Sequence, residues 1–193
     1  MPLLPVNFPW GQFPWQEAII HFARLLGAAH SGKLEVAEME LTKLNQLHDT
    51  LVKQKDAYKS KEVEIQIKTG EAWIQFISAD KTSALHLMQV AADMEDSTEK
   101  HPVTPGEVLP ARELLGDMLL EMKQNDKALQ AYETVLKKSP NRFNSVYNAG
   151  VAAQRSANFQ KAIFYFTQLL KMVDTVACKR PEVAAARSFL SPD

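Results

Sequence analysis

A single cysteine, Cys178, is all that the 193-residue chain carries, so no internal disulfide can staple it and cysteine usage marks no oxidising compartment. Glycine is scarce too, at 7 residues. Apart from short stretches such as Val63-Glu64-Ile65-Gln66-Ile67, there is little apolar/polar alternation bounded by hairpin turns, which argues against strands. No window holds the roughly 18 uncharged apolar residues that a membrane span needs. The opening run Met1-Pro2-Leu3-Leu4-Pro5-Val6-Asn7-Phe8-Pro9-Trp10 has no basic residue, and its prolines interrupt any apolar signal helix, so it does not read as a signal peptide. An excess of one charge is also missing. Lys plus Arg number 22 against 23 Asp plus Glu, which leaves no global field to draw in nucleic acid or an anionic membrane. Localisation stays open: cytoplasmic by default, periplasmic if the chain belongs to a longer secreted protein.

What the chain has is helical periodicity. With 46% hydrophobic and 23% charged residues it has the composition of a globular protein with a substantial core. Leu114, Leu115, Met118, Leu119 and Met122 recur at helical spacing, and Leu129, Tyr132, Val135 and Leu136 follow after the polar break Gln124-Asn125-Asp126. That is a helix, a tight turn and a second helix. The pattern then returns: Gly116 and Gly150, Ala128 and Ala162, Tyr132 and Phe166, Leu136 and Leu170 are each 34 residues apart. A small residue midway along the first helix lets the second cross closely, and the aromatic fills the wedge beside it. Pro140 ends the second helix. Ala72, Ala84 and Met88 repeat the spacing upstream, and Gly27, Ala37 and Leu41 echo it with a shorter turn.

The spacing predicts an all-α repeat fold of about four helical hairpins, near residues 15–55, 60–95, 107–139 and 142–173. A short helix over 181–190, opened by Pro181, covers the last apolar face. Two segments fall outside the repeat. Residues 1–14, rich in proline and aromatics (Phe8, Trp10, Phe13), are expected to run extended. Residues 96–106, from Asp96 to Gly106, form a junction about ten residues longer than a repeat needs, and loops of that kind often carry function.

Leu115-Gly116, Leu119, Ala128, Tyr132 and Pro140, with Gly150, Ala162 and Phe166, resemble the consensus of the tetratricopeptide repeat (TPR) family over Glu107 to Met172. More narrowly, Glu17 to Arg24, Glu99 to Gly106 and Pro110 to Gly116 resemble the C-terminal part of longer bacterial TPR proteins of uncharacterised function. The resemblance implies a right-handed α-α superhelix that binds a peptide or protein on the concave face lined by the first helix of each hairpin. On that face it would place His21 and Arg24, Trp73 and Phe76, Glu113, Asp117 and Glu121, then Tyr147, Asn148, Val151 and Arg155. The TPRs that clamp acidic chaperone tails have Lys and Asn where Glu113 and Asp117 stand. A partner of basic or mixed charge therefore fits better than a carboxylate tail.

Each of these residues also has a plainer reading. Acids at i, i+4, i+8 are ordinarily a solvated helix face, and a tryptophan inside Ala72-Trp73-Ile74-Gln75-Phe76-Ile77 is ordinarily core. Glu99, Lys100 and His101, with Arg112 beyond them, would either form a polar ligand cluster or belong to a connector stiffened by Pro102 and Pro105. Five histidines (His21, His30, His48, His86, His101) show no i, i+4 pair and no Cys-x-x-Cys partner, so no metal is expected. No nucleophile elbow, phosphate loop or dinucleotide fingerprint is present, and neither catalysis nor a cofactor is expected. Three functions remain. One is an interaction scaffold using the concave face. The second is an accessory or regulatory domain of a longer enzyme with a polar site at the His101 loop. The third is a structural module that self-associates into homo-oligomers.

Overall fold

The computed structural model describes residues 7–99, 109–173 and 178–191, and every regular element among them is helical. After one 3-10 turn, Trp10–Gln12, nine α-helices follow among the described residues. They are α1 (Pro14–His30), α2 (Leu34–Lys53), α3 (Ala57–Ile77), α4 (Lys81–Ser97), α5 (Ala111–Glu121), α6 (Asn125–Lys138), α7 (Phe143–Arg155), α8 (Phe159–Val173) and α9 (Pro181–Leu190). Four hairpins and a final helix, the fold class anticipated from the repeat, are therefore in place. The chain divides into two compact units between Ala111 and Arg112.

Glycine does little of the turning. Gly32 between α1 and α2 has a positive φ, but so do Lys55, Ala79, Lys123 and Ala157, each just after the end of a helix. At four of these five positions, the amide following the left-handed residue reaches back to the carbonyl five residues earlier. The bonds are Lys33 N to Ala28 O (2.9 Å), Asp56 N to Leu51 O (3.1 Å), Gln124 N to Leu119 O (2.9 Å) and Asn158 N to Ala153 O (2.8 Å). This is the Schellman closure, which satisfies carbonyls left over at a helix end. It accepts a modest backbone strain in return for a tight hairpin.

In the first unit α1 packs on α2, and α3 packs on α1, α2 and α4. Because α3 is enclosed on several sides, Val63, Ile65 and Ile67 are all buried, which accounts for the strand-like alternation inside a helix. Gly70 of α3 lies against the Leu25 side chain of α1. Ala72, Ala84 and Met88 are fully buried, as the repeat spacing requires. Within the segment expected to run extended, Trp10–Gln12 form the 3-10 turn, with Phe13 N bonded to Trp10 O at 2.7 Å. The ring of Phe8 lies 4.5 Å from that of Trp10 and 5.2 Å from that of Phe13.

Asp56 and Asp80 cap α3 and α4, their side chains accepting from the Lys59 and Ser83 amides. The hydrogen bond from the Lys59 side chain, followed by that from its amide, holds the Asp56 carboxyl below the ordinary carboxylate range. Asp56→Ala is expected to lower stability by about 1 kcal/mol at neutral pH. A carboxyl depressed by folding stabilises above its unfolded value, near 4, and that contribution is lost as pH falls through the folded value. Urea unfolding at pH 7 and at about pH 3 checks both: the gap between wild type and variant should close at the lower pH.

In the second unit α6 packs on α7, α7 on α8 and α8 on α9. The 34-residue repeat acquires a physical meaning here. The Tyr132 ring sits on Gly116 and the Phe166 ring sits on Gly150, so each aromatic lands on the glycine of its own hairpin. Phe189 of α9 then lies against Phe166 with ring centroids 5.0 Å apart, and Val183 and Ala186 are buried beside it.

Candidate functional site

The acids expected to line a groove on α5 do not form a free anionic face. Glu113 is buried. It accepts two hydrogen bonds from Arg142, Nε to Oε2 at 2.7 Å and Nη2 to Oε1 at 2.9 Å, and a third from the Ser145 hydroxyl. One turn further along α5, Asp117 accepts from the Tyr132 hydroxyl at 2.7 Å and from Asn148 Nδ2 at 3.0 Å. The two carboxylates thus form a polar seam joining α5 to α6 and α7. A buried carboxylate must be paired or neutralised, and here the chain's own arginine does the pairing. Glu113 is therefore corrected from a ligand contact to a structural pair, and the anionic argument for a basic partner loses its main residue. Glu121 is the exposed one of the three.

Burial, reinforced by the charge of Asp117, raises the Tyr132 phenol well above the ordinary tyrosine range. Its hydroxyl stays a donor while an unfolded tyrosine ionises near pH 10. The unfolded chain then binds fewer protons than the native one, so this stability is complete below about pH 10 and declines above it. Thermal unfolding between pH 9 and 11 should show a steeper loss for wild type than for Tyr132→Phe.

The remaining anticipated residues scatter. His21 is buried between Glu40 Oε2 (2.5 Å) and Glu17 Oε1 (3.6 Å). Trp73 is core, 1% exposed, with its ring 4.2 Å from that of His30 and 5.4 Å from that of Phe76, which is buried too. Neither His21 nor Trp73 is presented to a ligand. Tyr147 and Asn148 are half-buried, the first against the Phe166 ring, the second on Asp117. Arg24 and Asp117 are half-buried, Val151 likewise, and Arg155 is exposed. Of the loop candidates, Glu99 is exposed beyond α4 and Arg112 is half-buried in α5, while Lys100 and His101 lie outside the described residues.

Two surfaces were not anticipated. The first is a groove of about 540 Å³ on the outer side of α1 and the start of α2, lined by Ile19, Ile20, Ala23, Gly27 and Val36 with Arg24 and Lys33 among its polar residues. The opposite side of α1 carries Ala18, Phe22, Leu25 and Leu26, all buried. The helix is therefore apolar on two faces, a signal present in the sequence for a second contact. A Cβ placed on Gly27 would meet nothing within 4 Å, in contrast to Gly70, Gly116 and Gly150. Met39, one turn beyond Val36 on α2, is 70% exposed. The second surface is a ridge on α8, where Phe159 (57% exposed), Ile163 (50%) and Phe164 (62%) stand out together.

With this geometry the comparisons can be placed. Residues 111–142, which contain Glu113, Gly116, Tyr132 and Arg142, match the tetratricopeptide repeat family model. That match spans one helical hairpin, α5 and α6. No curated protein matches the sequence significantly. Among solved structures, a point-substituted form of MamA is similar at 15% identity with a TM-score of 0.52, over 90% of this chain and 82% of that one. Another MamA crystal structure is similar at 18% identity and a TM-score of 0.49, over 82% of this chain and 92% of that one. At 15% identity the first likeness is one of fold alone, and it agrees with the hairpin architecture. Tetratricopeptide hairpins make protein-interaction scaffolds, and at that general level the function is the expected one. No helix among the described residues is long and apolar enough to cross a membrane.

Proposed function

We propose that this tetratricopeptide-repeat chain is a non-catalytic scaffold that docks an apolar protein segment in the groove on α1 and α2. The observation that carries the reading is the groove itself: about 540 Å³, floored by Ile19, Ile20, Ala23 and Val36, with open space over Gly27. Concave, mostly apolar surfaces with a few polar groups at their edges are where ligands bury enough area to bind. Arg24 and Lys33 among the groove residues, with exposed Glu35 and Glu38 next on α2, make a rim of mixed charge, which suits a partner of mixed charge. Of the residues first assigned to a concave face, Arg24 belongs to this groove. Tyr147 and Arg155 on α7 remain accessible as a secondary contact.

Gly27→Trp tests the assignment, because the new side chain fills the groove without meeting a neighbour at its Cβ. Selection from a random peptide library displayed on phage should enrich, on wild type, sequences with two or more large apolar anchors. Gly27→Trp should retain such peptides about tenfold less well or worse, a loss of roughly 1.4 kcal/mol. Equal retention by wild type and variant would remove the groove from consideration.

A further inference from the structure

The groove on α1 and α2 has a sign of charge as well as a shape. Three polar side chains line it, Arg24, Ser31 and Lys33, and no acid does. The Ser31 hydroxyl donates to the Gly27 carbonyl at 2.7 Å, so the two cations set the charge that the groove presents. The acids of the same hairpin lie elsewhere. Glu17 and Glu40 flank the buried His21. Exposed Glu35 and Glu38 stand about 100° and about 160° round α2 from Val36. The backbone at the Lys33 end has the same bias. The Gly27 and Ala28 carbonyls that close α1 accept from the Ser31 amide at 3.2 and 3.1 Å, and the second accepts also from the Lys33 amide at 2.9 Å. The first-turn amides of α2, by contrast, have no acceptor within the helix, and the N-cap side chain does not cover them. Donors backed by the partial positive charge of a helix start are therefore what that end offers.

Resting on the groove reading above, we propose that the docked partner segment carries an acidic side chain beside its apolar anchors. The anchors lie on Ile19, Ile20, Ala23 and Val36, and the carboxylate sits at the Lys33 end. Ile19 and Gly27 are eight residues apart on α1, about 12 Å along its axis. A docked helix covers that distance in about two turns and an extended strand in about four residues, so one short segment supplies both anchor and acid. A basic segment of equal hydrophobicity would meet two like charges, and an uncharged one would leave the α2 amides without an acceptor. The sign is opposite to the one first read from the α5 acids. Glu113 is buried and paired with Arg142, whereas Lys33 is exposed at the groove. The mixed rim is thus ordered, with the partner's acid inside the groove and its basic residues outside, toward Glu35 and Glu38.

The test uses the full chain and two displayed libraries of short peptides matched in apolar content. One has Asp and Glu as its only charged residues, the other Lys and Arg. Wild type should retain the acidic library about tenfold better than the basic one, and the ratio should shrink at high salt as the charges are screened. Lys33→Glu changes an exposed side chain, so its helical circular dichroism should match wild type while the ratio falls to about one or below. Lys33→Gln should fall between the two. Equal retention of both libraries by wild type, or a ratio that Lys33→Glu leaves unchanged, would overturn the proposal. If that equal retention is still lost in Gly27→Trp, the charge selection falls and the docking function stands. If wild type retains neither library, the groove reading falls and the charge selection falls with it.

Discussion

Replacing Glu113 by alanine is expected to cost about 3–5 kcal/mol of stability, because it removes the buried carboxylate that accepts from both Arg142 and Ser145. The pair is bidentate and the carboxylate is only 3% exposed on its side chain, while the guanidinium is 24% exposed. Desolvation raises the cost of an unmatched charge there far above that of a surface ion pair, whose loss is ordinarily worth about 0–1 kcal/mol. Ser145, fully buried, would lose its acceptor at the same time. Glu113→Lys should be worse still, since it sets two cations side by side. Changing Glu113 and Arg142 together to apolar residues of similar size should recover much of the loss, as buried pairs often yield to packing. Denaturant unfolding followed by circular dichroism measures this. Trp10, Trp15 and Trp73 all precede the division at Ala111, so their fluorescence follows the first unit and serves as an internal control. A Glu113→Ala variant as stable as wild type would return Glu113 to the surface role that its i, i+4, i+8 spacing first suggested.

That reversal shows what was legible in the sequence. The helices, their pairing and the aromatic-on-glycine contact follow from spacing alone, because a helix fixes which residues share a face and a 34-residue repeat fixes which helices cross. Whether an acid on such a face meets solvent or an arginine depends on where Arg142 lies, 29 residues downstream, and no local pattern encodes that distance. Trp73 was ambiguous for a related reason: an aromatic in a helix of near-continuous apolar character has no unambiguous outer face, and α3 meets three other helices. The turns were hidden by chemistry. Lys55, Ala79, Lys123 and Ala157 hold positive φ where glycine would have announced the bend. The groove had a signal, the second apolar face of α1, but the same residues read as core when a single face is sought. The ridge had its own in Phe159, Ile163 and Phe164, which in a strongly apolar helix are indistinguishable from buried residues until the exposure of each is known.

The glycines give the sharpest contrast between structural and docking roles. A Cβ on Gly116 would lie 2.5 Å from Tyr132 Cε1 and 2.7 Å from Cζ, inside any permitted contact. The ring cannot simply swing away, being fully buried and tied through its hydroxyl to Asp117. Gly116→Ala must either part α5 from α6 or break that charged hydrogen bond. Overpacking together with the lost bond is expected to cost about 2–4 kcal/mol, well beyond the roughly 1 kcal/mol that alanine gains in helix propensity. Gly27→Ala should do the opposite: exposed, in the last turn of α1 and with open space around its Cβ, it gains helix propensity and meets nothing, raising stability by up to about 1 kcal/mol. The pair Gly116→Ala and Tyr132→Phe distinguishes the two costs. If displacement of the ring is what matters, removing the hydroxyl first should make the alanine cheaper by about the worth of one hydrogen bond, and a double-mutant cycle reads that coupling directly. Strict additivity would mean that the helices move apart with the Tyr132–Asp117 bond intact, and that the glycine sets the distance between them rather than the seat of the ring.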